Sequence, residues 1–145
     1  MVLSTSNAGC GGVLWDNCGG WIAGFSKHIG MCSARSAEEW AILEGLLLAW
    51  DLGLKRVIVE SDAAELVNSL SGDYLGSDSL LVVRIREMLA RNWSSSICLI
   101  PREFNSLADT LAKWGLSKSA IFSDCPLSLK VLAERDLLGV IPFSL

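Results

Sequence analysis

The chain has 145 residues, of which 51% are hydrophobic and 19% charged, and its formal net charge is −4. These values predict one compact domain with a substantial hydrophobic core. The acidic balance disfavours strong nonspecific binding to nucleic acid, which usually needs a basic face. It still allows a small local patch, although the neighbouring Arg84, Arg86 and Arg91 are better interpreted as an ordinary solvated surface.

Several protein classes are disfavoured by what the sequence lacks. No apolar run is long enough to span a bilayer, and the first residues have neither the basic region nor the apolar stretch of a secretory signal. We therefore expect a soluble, intracellular protein of the nucleus or the cytoplasm. The five cysteines are odd in number and the chain has one histidine, so reduced, mostly buried thiols are favoured over disulfides or a zinc site.

The first recognisable element is a β-hairpin over 11–26. The segments GVLWD and WIAGFS are strand-like, and NCGG between them supplies residues that tolerate a positive φ. A second turn near Gly30 is predicted to lead into a short strand over 31–34.

Alternating helices and strands follow the hairpin. Ser36 and Glu39 form a capping-box pattern at the start of a helix that runs to Asp51. Further along the chain we predict a strand at 55–60, helices at 62–70 and from Asp78 or Ser79 to Arg91, a strand at 93–100, and a helix at 105–114. This order predicts an α/β domain with a mixed β-sheet flanked by helices. The tail, 117–145, is predicted to hold one short amphipathic helix ending near Gly139 and an irregular end.

Glu38 is the first of three carboxylates that suggest a site. On a helical wheel it shares a stripe with Ile42, Gly45 and Ala49. Small residues on that stripe would let the helix lie close to the sheet, so Glu38 would point towards the strand ends. The simpler alternative is an anion at a helix start, where the helix dipole favours negative charge.

Asp62 and Asp109 are the other two. Asp62 stands where a strand gives way to a helix, a common position for ligand sites in open α/β sheets, but with Glu65 it also forms a capping-box pattern. Asp109 lies one helical turn before Lys113, and an ion pair between them is a sufficient explanation for it. If the three carboxylates meet, they form the kind of oxygen-rich site that holds hard divalent cations.

The joint pattern resembles type 1 ribonuclease H, in the form found in plant retroelements and their domesticated relatives. The matching segments are AGCGGVLWDNCGGWIAGFS, AEEWAILEGLLLAWDLG, RVIVESDAAELVN and IPREFNSLADTLAKW. The resemblance covers roughly residues 1–116, which we expect to form the domain, with 117–145 as a C-terminal tail. It implies a ribonuclease H-like fold with a five-stranded mixed sheet.

The resemblance also implies an activity and a site. Members of this family cleave the RNA strand of RNA–DNA hybrids with Mg²⁺ or Mn²⁺, using an Asp, a Glu and two further Asp residues. The Glu corresponds to Glu38, the second Asp to Asp62 and the last Asp to Asp109. These three residues are therefore the predicted catalytic residues and metal ligands.

Two departures from the family pattern put catalysis in question. No acid occurs before Asp16, and the family's first Asp would fall just upstream of Met1, so the first strand is largely truncated to Met1–Leu3. The hairpin would then pair directly with the strand at 55–60, or the edges would stay exposed. The catalytic-loop histidine of many relatives would align near Leu99.

The leading hypothesis is a ribonuclease H-type domain that binds nucleic acid, with activity weakened or lost because one of four expected carboxylates is missing. One alternative is a non-catalytic module of the same fold that binds nucleic acid or a protein partner. Another is a longer natural protein that is fully active.

Overall fold

The computed structural model describes residues 6–71 and 79–138. The elements in chain order are β1 (Ser6–Trp15), β2 (Trp21–Cys32), α1 (Ala34–Asp51), β3 (Arg56–Ser61), α2 (Ala64–Ser71), α3 (Leu80–Leu89), β4 (Ser94–Leu99), a 3-10 turn (Arg102–Phe104), α4 (Ser106–Trp114), β5 (Ala120–Phe122), a second 3-10 turn (Leu127–Leu129) and α5 (Lys130–Leu138). Predictions for Met1–Leu3, for Asp78 as a helix cap and for the segment from Gly139 onwards lie outside the described residues. No described helix is long and apolar enough to cross a membrane.

The predicted hairpin is present as β1 and β2, which pair antiparallel. Its turn is closed by the Asp16 carboxylate, which accepts hydrogen bonds from the backbone N–H groups of Cys18 at 2.9 Å and Gly20 at 2.7 Å. The predicted turn near Gly30 and the separate strand over 31–34 are wrong, because β2 continues to Cys32. Gly30, with a φ of +90°, instead lies in a β-bulge of β2 itself, next to Ile29, which has no partner in β1. A glycine there lets the strand continue past the bulge.

The predicted capping box of Ser36 and Glu39 is also wrong. The N-cap of α1 is Ser33, whose hydroxyl accepts a hydrogen bond from the backbone N–H of Ser36. Glu39 is buried at 3% exposure, where its carboxylate accepts a hydrogen bond of 3.0 Å from the Ser79 hydroxyl. Because Ser79 also caps α3, Glu39 ties the start of α3 to α1. Glu39 therefore makes a tertiary contact in addition to its ion pair with Arg35, one turn earlier in α1.

Within the described residues the strands form two separate sheets. One has the order β1-β2-β5 and is antiparallel, and the other is the parallel pair β3-β4. The hairpin therefore does not pair with β3. Of the two predicted outcomes, direct pairing of the hairpin with the strand at 55–60 is wrong. β5 was not predicted, because three residues are too short to show a strand periodicity.

Two hydrophobic clusters hold the elements together. The first joins α1 and α3 to the β3-β4 sheet and is built on Ile42, Leu43, Leu46, Leu66, Val82, Ile85 and Met88. The second joins α4 to the C-terminal part of the chain and is built on Leu107, Leu111, Leu129 and Ala133. The short helix predicted in the tail is α5, and it packs on α4 through this second cluster. The domain boundary at residue 116 stays a prediction.

The glycines of β1 bring two helices close to opposite faces of that strand. A Cβ at Gly11 would lie 2.5 Å from the backbone nitrogen of Ala112 in α4. A Cβ at the next residue, Gly12, would lie 2.7 Å from the Phe25 ring, which is also the nearest group to Gly45 of α1. Successive residues of a strand point to opposite faces, so α4 covers one face of β1 and α1 the other.

This packing predicts opposite effects for two glycine-to-alanine substitutions. We expect Gly11→Ala to lower the free energy of unfolding by about 1–3 kcal/mol, because the added methyl group meets α4 backbone that cannot easily move. Gly45→Ala should leave stability unchanged or raise it by about 0.5–1 kcal/mol, because its Cβ would sit 3.6 Å from the Phe25 ring, an ordinary contact. Urea denaturation of the two variants and the parent checks this. Equal destabilisation by both would contradict the packing described here.

Candidate functional site

A groove of about 570 Å³ opens between β1 and β3. Residues 9–17 line one side and residues 56–62 the other, while α1 and α4 provide the remaining walls. Glu38, Asp62 and Asp109 all line this groove. The three carboxylates singled out from the sequence therefore face one concave surface, although they come from a helix, a strand end and a second helix.

Glu38 reaches the groove through the helical stripe that the sequence predicted. Ile42, Gly45 and Ala49 of the same stripe also line the groove, so this face of α1 looks onto the space between the strands. Burial raises the pKa of Glu38 above its ordinary value, and the nearby Asp62 carboxylate raises it further. The guanidinium groups of Arg35 and Arg102 oppose this effect because positive charge favours the ionised form.

Asp62 follows the last residue of β3 but does not cap α2. That helix begins at Ala64, and its first helical hydrogen bond runs from the Val67 N–H to the Ala63 carbonyl oxygen. The backbone N–H of Ala63 is held instead by the Ser61 hydroxyl at 3.1 Å. The capping alternative for Asp62 is therefore not realised, and its carboxylate is available to face Glu38.

Asp109 lies in the first turn of α4, where the helix dipole favours an anion. Asn105 occupies the predicted cap position, although its side chain makes no capping hydrogen bond. Over residues 6–71 and 79–138, no group of three or more His, Cys, Asp or Glu side chains is compact enough to hold a metal ion. Glu38 and Asp62 are close enough for their charges to interact, and Asp109 lines the same groove.

Two further charged residues belong to this region and were not assigned to it from the sequence. Glu60, two residues before Asp62, lines the groove, and burial raises the pKa of Glu60. In the sequence, Glu60 could have been recognised as an acidic residue within the apolar strand RVIVES. Arg102 is exposed and close enough to Glu38 to influence its pKa. By contrast, Arg86 and Arg91 of the possible basic patch contact the Ser69 carbonyl oxygen and the Trp50 ring.

Comparison with known proteins decides the family. The model of the reverse transcriptase-like family matches residues 2–115. The chain belongs to this family. It is also 38% identical, over 137 residues, to a protein of Arabidopsis thaliana that bears the name "Putative ribonuclease H protein". That match covers 91% of this chain but 22% of the Arabidopsis protein, so the chain spans about a fifth of this relative's length.

Solved ribonuclease H structures share the fold of this reverse transcriptase-like domain. RNase H1 of Halobacterium salinarum is 31% identical, with a TM-score of 0.72 over 77% of this chain and 87% of that one. The N-terminal RNase H domain of a Mycobacterium tuberculosis protein is 25% identical, with a TM-score of 0.71 over 77% and 84% of the two chains. The resemblance to ribonuclease H and the α/β fold are thus confirmed.

The coupling of Glu38 to Asp62 gives a direct prediction. Replacing Asp62 by Asn removes a negative charge, so the ionised form of Glu38 becomes easier to reach and its pKa should fall. The pKa should stay above the ordinary value for Glu, because burial, the larger cause, remains. Carbon-detected NMR titration of the side-chain carboxyl groups measures this, with Glu87→Gln on the exposed face of α3 as the matched control. An unchanged Glu38 pKa in Asp62→Asn would show that the two carboxylates are not neighbours.

Proposed function

We propose that this domain binds RNA–DNA hybrids and cleaves their RNA strand slowly, with Mg²⁺ or Mn²⁺ held by Glu38 and Asp62 and with Asp109 as a third ligand. Three observations support it: the carboxylates share one groove, the chain belongs to the reverse transcriptase-like family, and one structure of the same fold is described as RNase H1 in complex with an RNA/DNA hybrid. That structure is 23% identical over 78% of this chain, with a TM-score of 0.67, so the likeness is one of fold.

The residues of this chain suit the chemistry in distinct ways. A divalent cation, when bound, would activate a water molecule and stabilise the leaving oxygen of a phosphodiester. Glu38 and Asp62 would hold it, and its charge would relieve the repulsion between them. Because the pKa of Glu38 is raised, cation binding must displace a proton over part of the acidic range, so we expect affinity to increase with pH. The exposed Arg102 beside Glu38 is placed to contact a phosphate of the nucleic acid.

We propose weak activity because this chain offers three of the four carboxylates that the family pattern contains. The only earlier acid is Asp16, whose carboxylate is engaged in the hairpin turn by the backbone of Cys18 and Gly20. Derivation from a plant retroelement is part of the same proposal, since it rests on the sequence resemblance.

The observation that most directly supports the proposal is the Glu38–Asp62 pair, and substitution there tests it. With a labelled RNA–DNA hybrid and Mn²⁺, Glu38→Gln and Asp62→Asn should each lower the cleavage rate at least about 10-fold, because each removes one ligand of the cation. Glu87→Gln, which removes an exposed carboxylate of α3 away from the groove, should cleave like the parent. Cleavage that survives both groove substitutions would contradict the assignment of the site.

A non-catalytic binding module is the second candidate, and it is favoured by the lack of a compact three-carboxylate group over 6–71 and 79–138. In that case the parent protein would shift a hybrid in a binding assay without cleaving it, and millimolar Mg²⁺ would give no heat on titration. A parent protein that neither shifts nor cleaves the hybrid would instead point to a protein partner.

A further inference from the structure

The segment 120–138 packs on elements that carry the candidate site. It contains β5, the second 3-10 turn and α5, and it lies beyond the part of the chain that the family model matches. Its first half is fixed to the hairpin, because β5 pairs antiparallel with β2 and the Trp21 indole N–H donates a hydrogen bond of 3.1 Å to the Phe122 carbonyl oxygen. The Phe122 ring also contacts Trp114 of α4, with 5.8 Å between the ring centroids. These contacts fix the segment to both the hairpin and α4.

The second half of the segment packs on the face of α4 that lies opposite Asp109. Leu129 and Ala133 are buried, and they belong to one hydrophobic cluster with Leu107 and Leu111 of α4. Leu107 and Leu111 are one helical turn apart, so they share one face of the helix. Asp109 is two residues from each of them and is therefore on the other side. The depth to which Leu129 and Ala133 pack thus sets how far α4 moves Asp109 towards the groove.

α5 also lies against the 3-10 turn Arg102–Phe104. Arg102 of this turn is close enough to Glu38 for their charges to interact. None of the three residues of the turn is buried, and the Asn105 side chain that follows makes no capping hydrogen bond. The turn and the start of α4 therefore depend for their position on the segments packed against them, and α5 is one of these.

The two hydrophobic clusters separate this support from the rest of the core. The first cluster, which includes Ile85 of α3, contains no buried residue of 120–138 among those that the structure describes. The second cluster joins Leu129 to α4. A small cavity at Leu129 should therefore act on α4 and the neighbouring turn, whereas one at Ile85 should act on the packing of α1 and α3.

We propose that the segment 120–138 positions Arg102 and Asp109 relative to the other two carboxylates of the groove, with Leu129 as a positioning residue. This inference rests on the proposed function, in which Arg102 contacts a phosphate and Asp109 is the third ligand of the cation. Loosening the segment displaces both groups while the Glu38–Asp62 pair, which belongs to other elements, stays in place. The segment is then part of the working site rather than an appended tail.

The first test uses the whole chain without metal or nucleic acid. Leu129→Val and Ile85→Val each remove about one methylene group from a buried side chain, so their losses of stability should be small and similar. Native-state amide hydrogen exchange followed by NMR should become at least about 5-fold faster over 102–114 in Leu129→Val but not in Ile85→Val. Leu129→Met, which conserves the side-chain volume, should exchange like the parent.

The second test measures the site at a temperature where every variant is folded. With a labelled RNA–DNA hybrid, Leu129→Val should raise the Mn²⁺ concentration needed for half-maximal cleavage by roughly 10-fold, because Asp109 is no longer held in place. It should also raise KM for the hybrid through Arg102. Ile85→Val and Leu129→Met should keep the Mn²⁺ requirement and the KM of the parent.

The outcomes separate positioning from stability. Equal changes in the Leu129→Val and Ile85→Val variants would overturn the proposal, because they would assign only a stabilising role to the segment. Faster exchange over 102–114 with an unchanged Mn²⁺ requirement would overturn it as well. A parent protein that does not cleave the hybrid would instead contradict the proposed function, and the exchange comparison would then decide by itself whether the segment positions the turn and α4.

Discussion

The fit of the glycine-rich part of β1 between α4 and α1 is the constraint on which the rest of the structure depends. Because Gly11 has no side chain, the backbone of α4 lies against the strand at a distance that a Cβ would prevent. That contact fixes the position of Asp109 in the first turn of α4. On the other face, Phe25 fills the space between Gly12 and Gly45, which sets how closely α1 approaches and how Glu38 faces the groove.

The same arrangement concentrates negative charge where the sheet is interrupted. The Asp62 carboxylate raises the pKa of Glu38, and burial raises the pKa of Glu60 in β3. Arg35, which acts on Glu38, is itself paired with Glu39 and Glu65. The groove therefore suits a hard divalent cation beside Glu38 and Asp62.

Much of this was readable from the sequence, because it rests on local periodicity. The helical stripe from Glu38 through Gly45 to Ala49 correctly placed one face of α1 on the strands. Ser79 was correctly named as a possible cap of α3. The errors arise where a residue's role depends on distant chain segments. Glu39 has a spacing suited to a capping box, but its partner is Ser79, forty residues later. Gly30 looks like a turn residue, but its positive φ belongs to a bulge within β2, which continues beyond it. The separation into two sheets was one of two outcomes left open, since edge pairing depends on tertiary packing.

The central claim is that Glu38 and Asp62 form one cation-binding pair in the groove, and paramagnetic NMR with Mn²⁺ tests it most directly. Substoichiometric Mn²⁺ should broaden the amide signals around residues 38 and 62 first and those around 109 next, because broadening falls steeply with distance from the ion. In Asp62→Asn this pattern should need a much higher Mn²⁺ concentration. Broadening centred elsewhere, or an identical response in Asp62→Asn, would contradict the account.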